Sequence, residues 1–211
     1  SQMVAVTVRA GSKAEMALPD GTFVHLNAAT NLEYDVNNSK QRLVKLSGEA
    51  FFDVAKNPDC PFKVIINDLQ IEVVGTSFNV KTYKKDIVET SLLSGRIRIS
   101  GGSLPHEYTL SPGQKATYSA MDRTLRISKA DAHVEAGWRD NYLIFESTPL
   151  IDVIAQIERW YGVEIRLHHK QIAQDLLSGS FRNESIQNVI RSLSIQYGFK
   201  YEIHKDIITI Y

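Results

Sequence analysis

Cysteine is nearly absent from this sequence: Cys60 is the single example among 211 residues. A lone cysteine forms no intramolecular disulfide, which excludes the class of small secreted scaffolds held together by disulfides. The 12 glycines and 6 prolines follow no fixed period, which excludes collagen-like and low-complexity chains. With 43% hydrophobic residues, the chain is instead expected to bury a substantial core.

The sequence also lacks an excess of either charge, since 24 basic residues balance 24 acidic ones. Nucleic-acid-binding proteins usually carry a positive surplus, so nucleic acid is not an expected partner. No apolar run approaches the ~20 residues of a membrane-spanning helix. The first residues, Ser1-Gln2-Met3, do not resemble a signal peptide, and we expect any export or anchoring signal to lie in a missing part of a longer protein.

Residues 1–137 are predicted to form a mainly β N-terminal domain. Apolar side chains alternate with polar ones in short stretches, at residues 23–26, 43–46, 50–54, 71–74 and 96–99. Turn-forming residues separate them, namely Pro19-Asp20-Gly21, Asn37-Asn38-Ser39, Ser47-Gly48, Asn57-Pro58-Asp59, Gly101-Gly102 and Ser111-Pro112-Gly113. This spacing predicts mostly antiparallel strands in a sandwich, roll or solenoid.

Residues 138–211 are predicted to form a small α+β domain, because here the apolar period changes to 3.6. Pro149 is expected to open a first helix that ends at Gly162, and Asn183 to cap a second that ends at Gly198. Each helix runs into a strand, at residues 163–167 and 199–204. A last strand spans residues 207–211.

The two helices belong to an internal repeat. A shift of 36 positions superposes equivalent residues, namely Phe145 on Phe181, Leu150 on Ile186, Val153-Ile154 on Val189-Ile190, Ile157 on Leu193 and Tyr161-Gly162 on Tyr197-Gly198. The domain is therefore predicted to be a duplicated βαβ unit whose two helices share one core. Ile154 and Ile190 are expected at its centre, and Glu158 and Ser194 on the outer helix faces.

No motif compels catalysis. Phosphate-binding glycine loops and a nucleophile elbow are absent. His168-His169 is the one close histidine pair and is interpreted as a solvated loop rather than a metal site. Glu49, Asp53 and Glu72 could supply paired acids for glycoside chemistry, but we interpret them as outward strand residues. We therefore predict no catalytic residue, no metal ligand and no cofactor.

Two further features of the sequence could serve a binding or redox role. Six aromatic residues could form a sugar-stacking platform but are interpreted chiefly as core, because five lie at core positions or helix ends of the repeat; they are Trp138, Phe145, Trp160, Tyr161, Phe181 and Tyr197. Cys60, between Pro58 and Pro61, is interpreted as an inert loop residue because it has no redox partner.

An ordered series of short motifs resembles the FecR-type periplasmic regulator family. The series consists of Leu18-Pro-Asp-Gly-Thr-Phe-Val-His-Leu-Asn27, Leu46-Ser-Gly-Glu-Ala-Phe-Phe-Asp-Val54, Pro61-Phe62, Val74-Gly-Thr-Ser-Phe-Asn-Val80, Leu93-Ser-Gly-Arg-Ile97, Leu110-Ser-Pro-Gly-Gln114 and Trp138-Arg-Asp140. A second series is similar to the region that follows in Bacteroidetes members and to the short N-terminal domain of secretins and TonB-dependent transporters. It consists of Phe145-Glu-Ser-Thr-Pro-Leu150, Trp160-Tyr-Gly162 and Ser178-Gly-Ser-Phe181.

The resemblance implies the periplasmic sensor part of a membrane-anchored, single-pass anti-sigma factor. Its partners would be the N-terminal signalling domain of a TonB-dependent outer-membrane transporter and, through a cytoplasmic segment absent from this chain, a sigma factor. Such a module relays a state by protein–protein binding and is not an enzyme. The alternative is a carbohydrate-binding or cupin-like β-fold enzyme, against which the absence of an H-x-H pair argues.

The last strand and its neighbour are the predicted partner-binding segment. An open strand edge can be extended by another chain, and the final strand carries neither lysine nor proline. The predicted contact residues are Phe199, Tyr201, Ile203, Ile207, Thr209 and Tyr211. The competing interpretation is that their apolar side chains belong to the core.

Overall fold

The computed structural model describes residues 2–36 and 40–211, so the turn predicted at Asn37-Asn38-Ser39 lies outside the described residues. The chain divides into two compact units. The first contains the residues up to Val8 and Lys13–Ala136, and the second contains Arg9–Ser12 and Gly137–Tyr211. That the two predicted domains, 1–137 and 138–211, fold independently stays a prediction.

The first unit consists of two seven-stranded sheets and one short helix among its described residues. Its elements are β1 (Met3–Val8), β2 (Ala14–Ala17), β3 (Phe23–Leu26), β4 (Thr30–Asp35), β5 (Arg42–Ser47), β6 (Glu49–Asp53), β7 (Phe62–Ile66), β8 (Leu69–Val73), β9 (Ser77–Lys81), β10 (Ile87–Ser94), β11 (Ile97–Gly101), β12 (Tyr108–Leu110), β13 (Gln114–Ser119), β14 (Thr124–Lys129) and α1 (Ala132–Ala136). One sheet has the order β1-β4-β5-β7-β8-β11-β12, and the other β14-β13-β10-β9-β6-β3-β2.

Alternation along the strands builds a single core between these sheets. In the β7–β8 hairpin the buried residues are every second one, from Phe62 to Ile66 and from Leu69 to Val73. Asn67 adopts a positive φ of 54°, which asparagine tolerates in a tight turn. Buried side chains of both sheets form one hydrophobic cluster. The predicted mainly β architecture is therefore confirmed, and it takes the form of a sandwich.

One strand pair of the first unit departs from the antiparallel pattern. β5 and β7 pair in parallel, with Val44 opposite Val64. The intervening strand β6 belongs to the other sheet, where it pairs with β3 and β9. Because the chain crosses to the second sheet and returns, β7 arrives beside β5 in the same direction.

The second unit contains two small sheets and two long helices. Its elements are β15 (Tyr142–Pro149), α2 (Leu150–Tyr161), β16 (Glu164–Leu167), β17 (Leu176–Arg182), α3 (Ile186–Tyr197), β18 (Tyr201–His204) and β19 (Ile207–Ile210). β15 and β17 pair antiparallel. The other sheet has the order β16-β19-β18, in which β16 and β19 are parallel and β18 and β19 antiparallel.

The predicted duplication is visible in this architecture, because β15-α2-β16 and β17-α3-β18 repeat the same order of elements. The two central isoleucines, Ile154 and Ile190, are 5% and 1% exposed and belong to one cluster. Gly162 and Gly198 end the helices with positive φ values of 67° and 76°. Glycine reaches this left-handed conformation without steric cost, which explains its place at both helix ends.

Two local predictions in this unit are wrong. The N-cap of α3 is Ser185, whose Oγ accepts the amide hydrogen of Asn188 at 3.2 Å, and not Asn183. Glu158 and Ser194 are not free outward residues. Glu158 accepts the amide hydrogen of Ile165 at 3.1 Å, and the hydroxyl of Ser194 donates to the carbonyl of Phe199 at 2.5 Å. Both equivalent side chains thus tie a helix end to the strand that follows.

Candidate interaction surface

The predicted edge at the chain terminus is placed differently in the structure. β19 is the central strand of its sheet, with β16 on one side and β18 on the other. Thr209, for example, lies opposite both Arg166 and Glu202. The prediction that the final strand is an open edge is therefore wrong, because β16 pairs with the side that was expected to be free. Its neighbour β18 does lie at an edge.

The six predicted contact residues differ in accessibility. Phe199 is 6% exposed, and Tyr201, Ile207 and Thr209 are half-buried. Ile203 and Tyr211 are 36% and 46% exposed. The core interpretation thus fits Phe199, whereas Ile203 and Tyr211 remain accessible on β18 and just beyond β19. Partner binding by these residues stays a prediction.

Glu49 is not an outward strand residue, contrary to the prediction. It is 6% exposed, and its two carboxylate oxygens accept from the side-chain amides of Asn27 at 2.8 Å and Asn79 at 2.9 Å. Asp53 is exposed and accepts from the hydroxyl of Ser77 at 2.8 Å. Glu49 therefore holds β6 to its neighbours through buried hydrogen bonds, and both of its oxygens are engaged.

Glu72 also departs from a freely solvated position. Its side chain is 13% exposed, and its carboxylate forms ion pairs with Lys63, at 3.6 Å, and with Arg98. These residues lie opposite one another on β7, β8 and β11. Glu72 thus stabilises the sheet through cross-strand charge pairs.

A row of alternating charges continues from Glu49 across the second sheet. Lys81 is the cross-strand neighbour of both Glu49 and Glu89, and Lys115 contacts Glu89 at 2.9 Å and Glu135 of α1 at 2.8 Å. Burial opposes the charged form of each lysine, but the surrounding carboxylates outweigh it and raise the pKa of both Lys81 and Lys115. Burial likewise opposes ionisation of Glu89, but the two lysines lower the pKa of this carboxyl. Lys81, Lys115 and Glu89 are therefore charged at neutral pH.

Arg42 organises the turns at one side of the first unit. Its side chain is 6% exposed, and its Nη1 contacts the carboxylate of Asp20 at 3.1 Å. The guanidinium also donates to four backbone carbonyls, those of Ala55, Asn57, Cys60 and Val74. Five donors meet five acceptors, so the buried cation is fully satisfied. Asp20 in turn accepts the amide and hydroxyl hydrogens of Thr22.

The remaining chemistry-bearing residues are the predicted histidine pair and the single cysteine. Among the described residues, no group of three or more His, Cys, Asp and Glu side chains could hold a metal ion. His168 packs near the ring of Tyr211, with ring centroids 5.9 Å apart, and His169 is exposed. Cys60 is half-buried in the loop held by Arg42.

The aromatic residues of the repeat are packed, as predicted. Phe145 is buried, and four others pack against the second unit's core, namely Trp160, Tyr161, Phe181 and Tyr197. Trp138 is 6% exposed. The hydroxyl of Tyr161 donates to the carbonyl of Glu184 at 2.9 Å, and burial together with the charge of Glu184 raises its pKa to about 12. These rings serve packing and not an open stacking platform.

The sequence analysis did not predict that polar residues of the first motif series form the hydrogen-bond networks around Glu49 and Arg42. Asp20, Glu49 and Asn79 all lie in those motifs, and each makes a long-range hydrogen bond. A signal was present for Glu49, because it directly precedes the uninterrupted apolar run Ala50-Phe51-Phe52. Such a run indicates a strand covered on both faces, and the structure buries all four residues.

Comparisons with known proteins agree with this architecture. The FecR protein family model matches residues 4–98, and the model of the FecR C-terminal region matches residues 142–210. Comparison with curated proteins gave no significant match. Within the described part of the chain, no helix has the length and apolar character needed to span a membrane.

Two crystal structures of a proposed anti-sigma factor from Parabacteroides distasonis ATCC 8503 are similar to this chain along its whole length. Both are 30% identical in sequence, with a TM-score of 0.89. The structure at 1.65 Å resolution covers 99% of this chain and 98% of its own, and that at 2.50 Å covers 100% and 99%. With a relative at this identity and coverage, and with both family models matched in order, the chain belongs to the FecR family.

Proposed function

We propose that this chain is the periplasmic sensor part of a membrane-anchored anti-sigma factor. The observation that carries the proposal is the full-length similarity to a proposed anti-sigma factor, with a TM-score of 0.89. The family match over both units supports it further. Sigma-factor binding belongs, in this proposal, to a separate cytoplasmic segment joined to the sensor by a single membrane helix.

The signal received by the sensor is the state of a TonB-dependent outer-membrane transporter, which it meets through the transporter's N-terminal signalling domain. Relay of this kind requires no catalytic group. It requires a surface with different affinities for two states of the partner, because a ligand shifts an equilibrium only by its differential affinity. Buried polar side chains such as Glu49 and Arg42 are saturated by internal contacts, which suits a rigid binding module.

The proposal is tested by isothermal titration calorimetry, in which the 211-residue chain is titrated with purified signalling domains of the transporters encoded beside it. We expect saturable 1:1 binding to one of them and none to the signalling domain of an unrelated transporter. Absence of binding to every neighbouring domain would contradict the proposal. A metal assay and a glycan-binding screen on the same preparation test the alternative, a cupin-like enzyme or carbohydrate-binding protein, which predicts a stoichiometric metal or a glycan ligand.

A further inference from the structure

The two small sheets of the second unit have four outer edges, and helix side chains bond to backbone groups on three of them. On β15, the side-chain amide of Gln156 donates to the carbonyl of Ile144 at 3.2 Å. On β16, the carboxylate of Glu158 accepts from the amide of Ile165. On β17, the hydroxyl of Tyr197 contacts both the amide and the carbonyl of Ser178, at 2.6 and 3.0 Å. Each contact satisfies backbone groups that an added strand would need.

The fourth edge, β18, is built differently. The amide of Tyr211 donates to the carbonyl of Lys200 at 2.8 Å, so Lys200 faces β19. Backbone groups alternate along an antiparallel strand, which turns Glu202 and His204 inward as well, and Tyr201 and Ile203 outward. Within residues 2–36 and 40–211, no side chain bonds to the outward backbone groups of Tyr201 or Ile203. The outward amides and carbonyls of these two residues are therefore available to an added strand, whereas a helix side chain occupies part of each of the other three edges.

The side chains around β18 indicate what could pair with it. Ile203 lies opposite Ile208 on the core face of the sheet, yet it is 36% exposed because the sheet ends there. Lys200 and Lys205 are exposed at the two ends of the strand. The one carboxylate between them, on Glu202, accepts from the hydroxyl of Tyr211 at 3.0 Å. The edge thus combines one uncovered apolar side chain with an exposed lysine at each end, and the exposed Asp206 follows Lys205 in the turn.

We propose that β18 is the site at which an extended segment of a partner protein adds a fourth strand to this sheet. The segment carries an apolar residue that covers Ile203 and acidic residues about five positions apart, near Lys200 and Lys205, a span of roughly 17 Å. The backbone of Tyr201 and Ile203 supplies the hydrogen bonds. The inference rests on the proposed function for the partner's identity, which is the transporter's signalling domain.

The first test compares Ile203→Pro with Ile203→Val in the 211-residue chain. Proline removes an amide hydrogen that faces away from β19, a position where edge strands tolerate proline, whereas valine keeps that amide and a similar side chain. We expect Ile203→Pro to bind the signalling domain at least tenfold more weakly than the unchanged chain, and Ile203→Val to bind within about threefold. Equal affinity of all three chains overturns the inference and leaves the proposed function intact.

A second measurement tests whether β18 accepts an added strand, and it uses the unsubstituted chain without the transporter. The probe is the synthetic peptide Asp-Thr-Val-Thr-Val-Asp, with a control peptide in which lysine replaces both aspartates. We expect the acidic peptide to slow hydrogen exchange of the Tyr201 and Ile203 amides several-fold and the lysine peptide to have no effect. Unchanged exchange at both amides overturns the inference. This outcome does not depend on whether any transporter domain binds the chain. Concentration-dependent dimerisation that Ile203→Pro abolishes would identify a second copy as the occupant and overturn the transporter assignment.

Discussion

Arg42 is expected to be the most costly single polar side chain to remove from the first unit. Its side chain is 6% exposed, and its guanidinium donates to Asp20 and to four backbone carbonyls at 2.5 to 3.3 Å. Arg42→Met keeps much of the apolar volume but leaves Asp20 without its cation and the carbonyls without these donors. Breaking a buried ion pair from one side costs about 3–5 kcal/mol. That is a large fraction of the ~5–15 kcal/mol by which domains of this kind are stable.

Two further variants separate charge from geometry. Arg42→Lys retains the charge but offers three donors instead of five, so we expect a loss of about 2–3 kcal/mol. Arg98→Met is the matched control, because Arg98 pairs with Glu72 and Glu107 but is 50% exposed. An exposed ion pair contributes at most about 1 kcal/mol.

The assay is urea denaturation followed by far-ultraviolet circular dichroism, with the free energy of unfolding taken from the β-rich transition. The expected order of destabilisation is Arg42→Met, then Arg42→Lys, then Arg98→Met. If Arg42→Met and Arg98→Met differ by less than about 1 kcal/mol, the loops around Arg42 do not depend on its hydrogen bonds and the reasoning is refuted.

Three other predictions concern the helix core, one glycine and acid stability. Ile190 is buried, so Ile190→Ala should lower the free energy of unfolding by about 2–5 kcal/mol, whereas Ser192→Ala, at an exposed position of the same helix, should lower it by less than about 0.5 kcal/mol. Urea titrations measure both values, and similar losses would contradict the assigned helix faces. Gly48 has a φ of 115°, and an added Cβ would meet the hydroxyl of Thr30 at 2.4 Å, whereas at Gly113 φ is also positive but nothing lies within 4 Å. Gly48→Ala should therefore destabilise the protein by about 1–3 kcal/mol more than Gly113→Ala. Thermal unfolding measures the difference, and equal changes in melting temperature would refute it. Burial raises the pKa of Glu89, but two neighbouring lysines lower it more strongly, so the pKa in the folded protein lies below the ordinary 4.5. The ionised Glu89 therefore stabilises the fold above pH 4.5, and this stabilisation is lost as the pH falls through the folded pKa. Glu89→Gln should therefore lose less stability than the unchanged chain between pH 5 and 3, and parallel pH profiles would count against the charged row.

Local patterns in the sequence determined most element types. Alternating apolar residues predict β7 and β8, and a 3.6-residue apolar period with a closing glycine predicts α2 and α3. Each pattern lies within a short stretch of consecutive residues. The 36-residue repeat likewise identified the shared helix core, because equivalent apolar positions stay in register. These features depend on neighbouring residues in the chain, so they could be predicted without tertiary structure.

Only the tertiary structure decided which strand lies at an edge and which polar residue is buried. β19 looks like a free terminal strand until β16, some 40 residues earlier, pairs with it in parallel. Glu49 looks like the polar member of an alternating strand until Asn27, just after β3, and Asn79 of β9 bind its carboxylate. Strand order and long-range hydrogen bonds join residues far apart in sequence, and side-chain periodicity carries no information about which distant strands meet. An accessible edge therefore belongs to β18, which the sequence analysis had included in the predicted segment beside the last strand and which the sheet order places at the border.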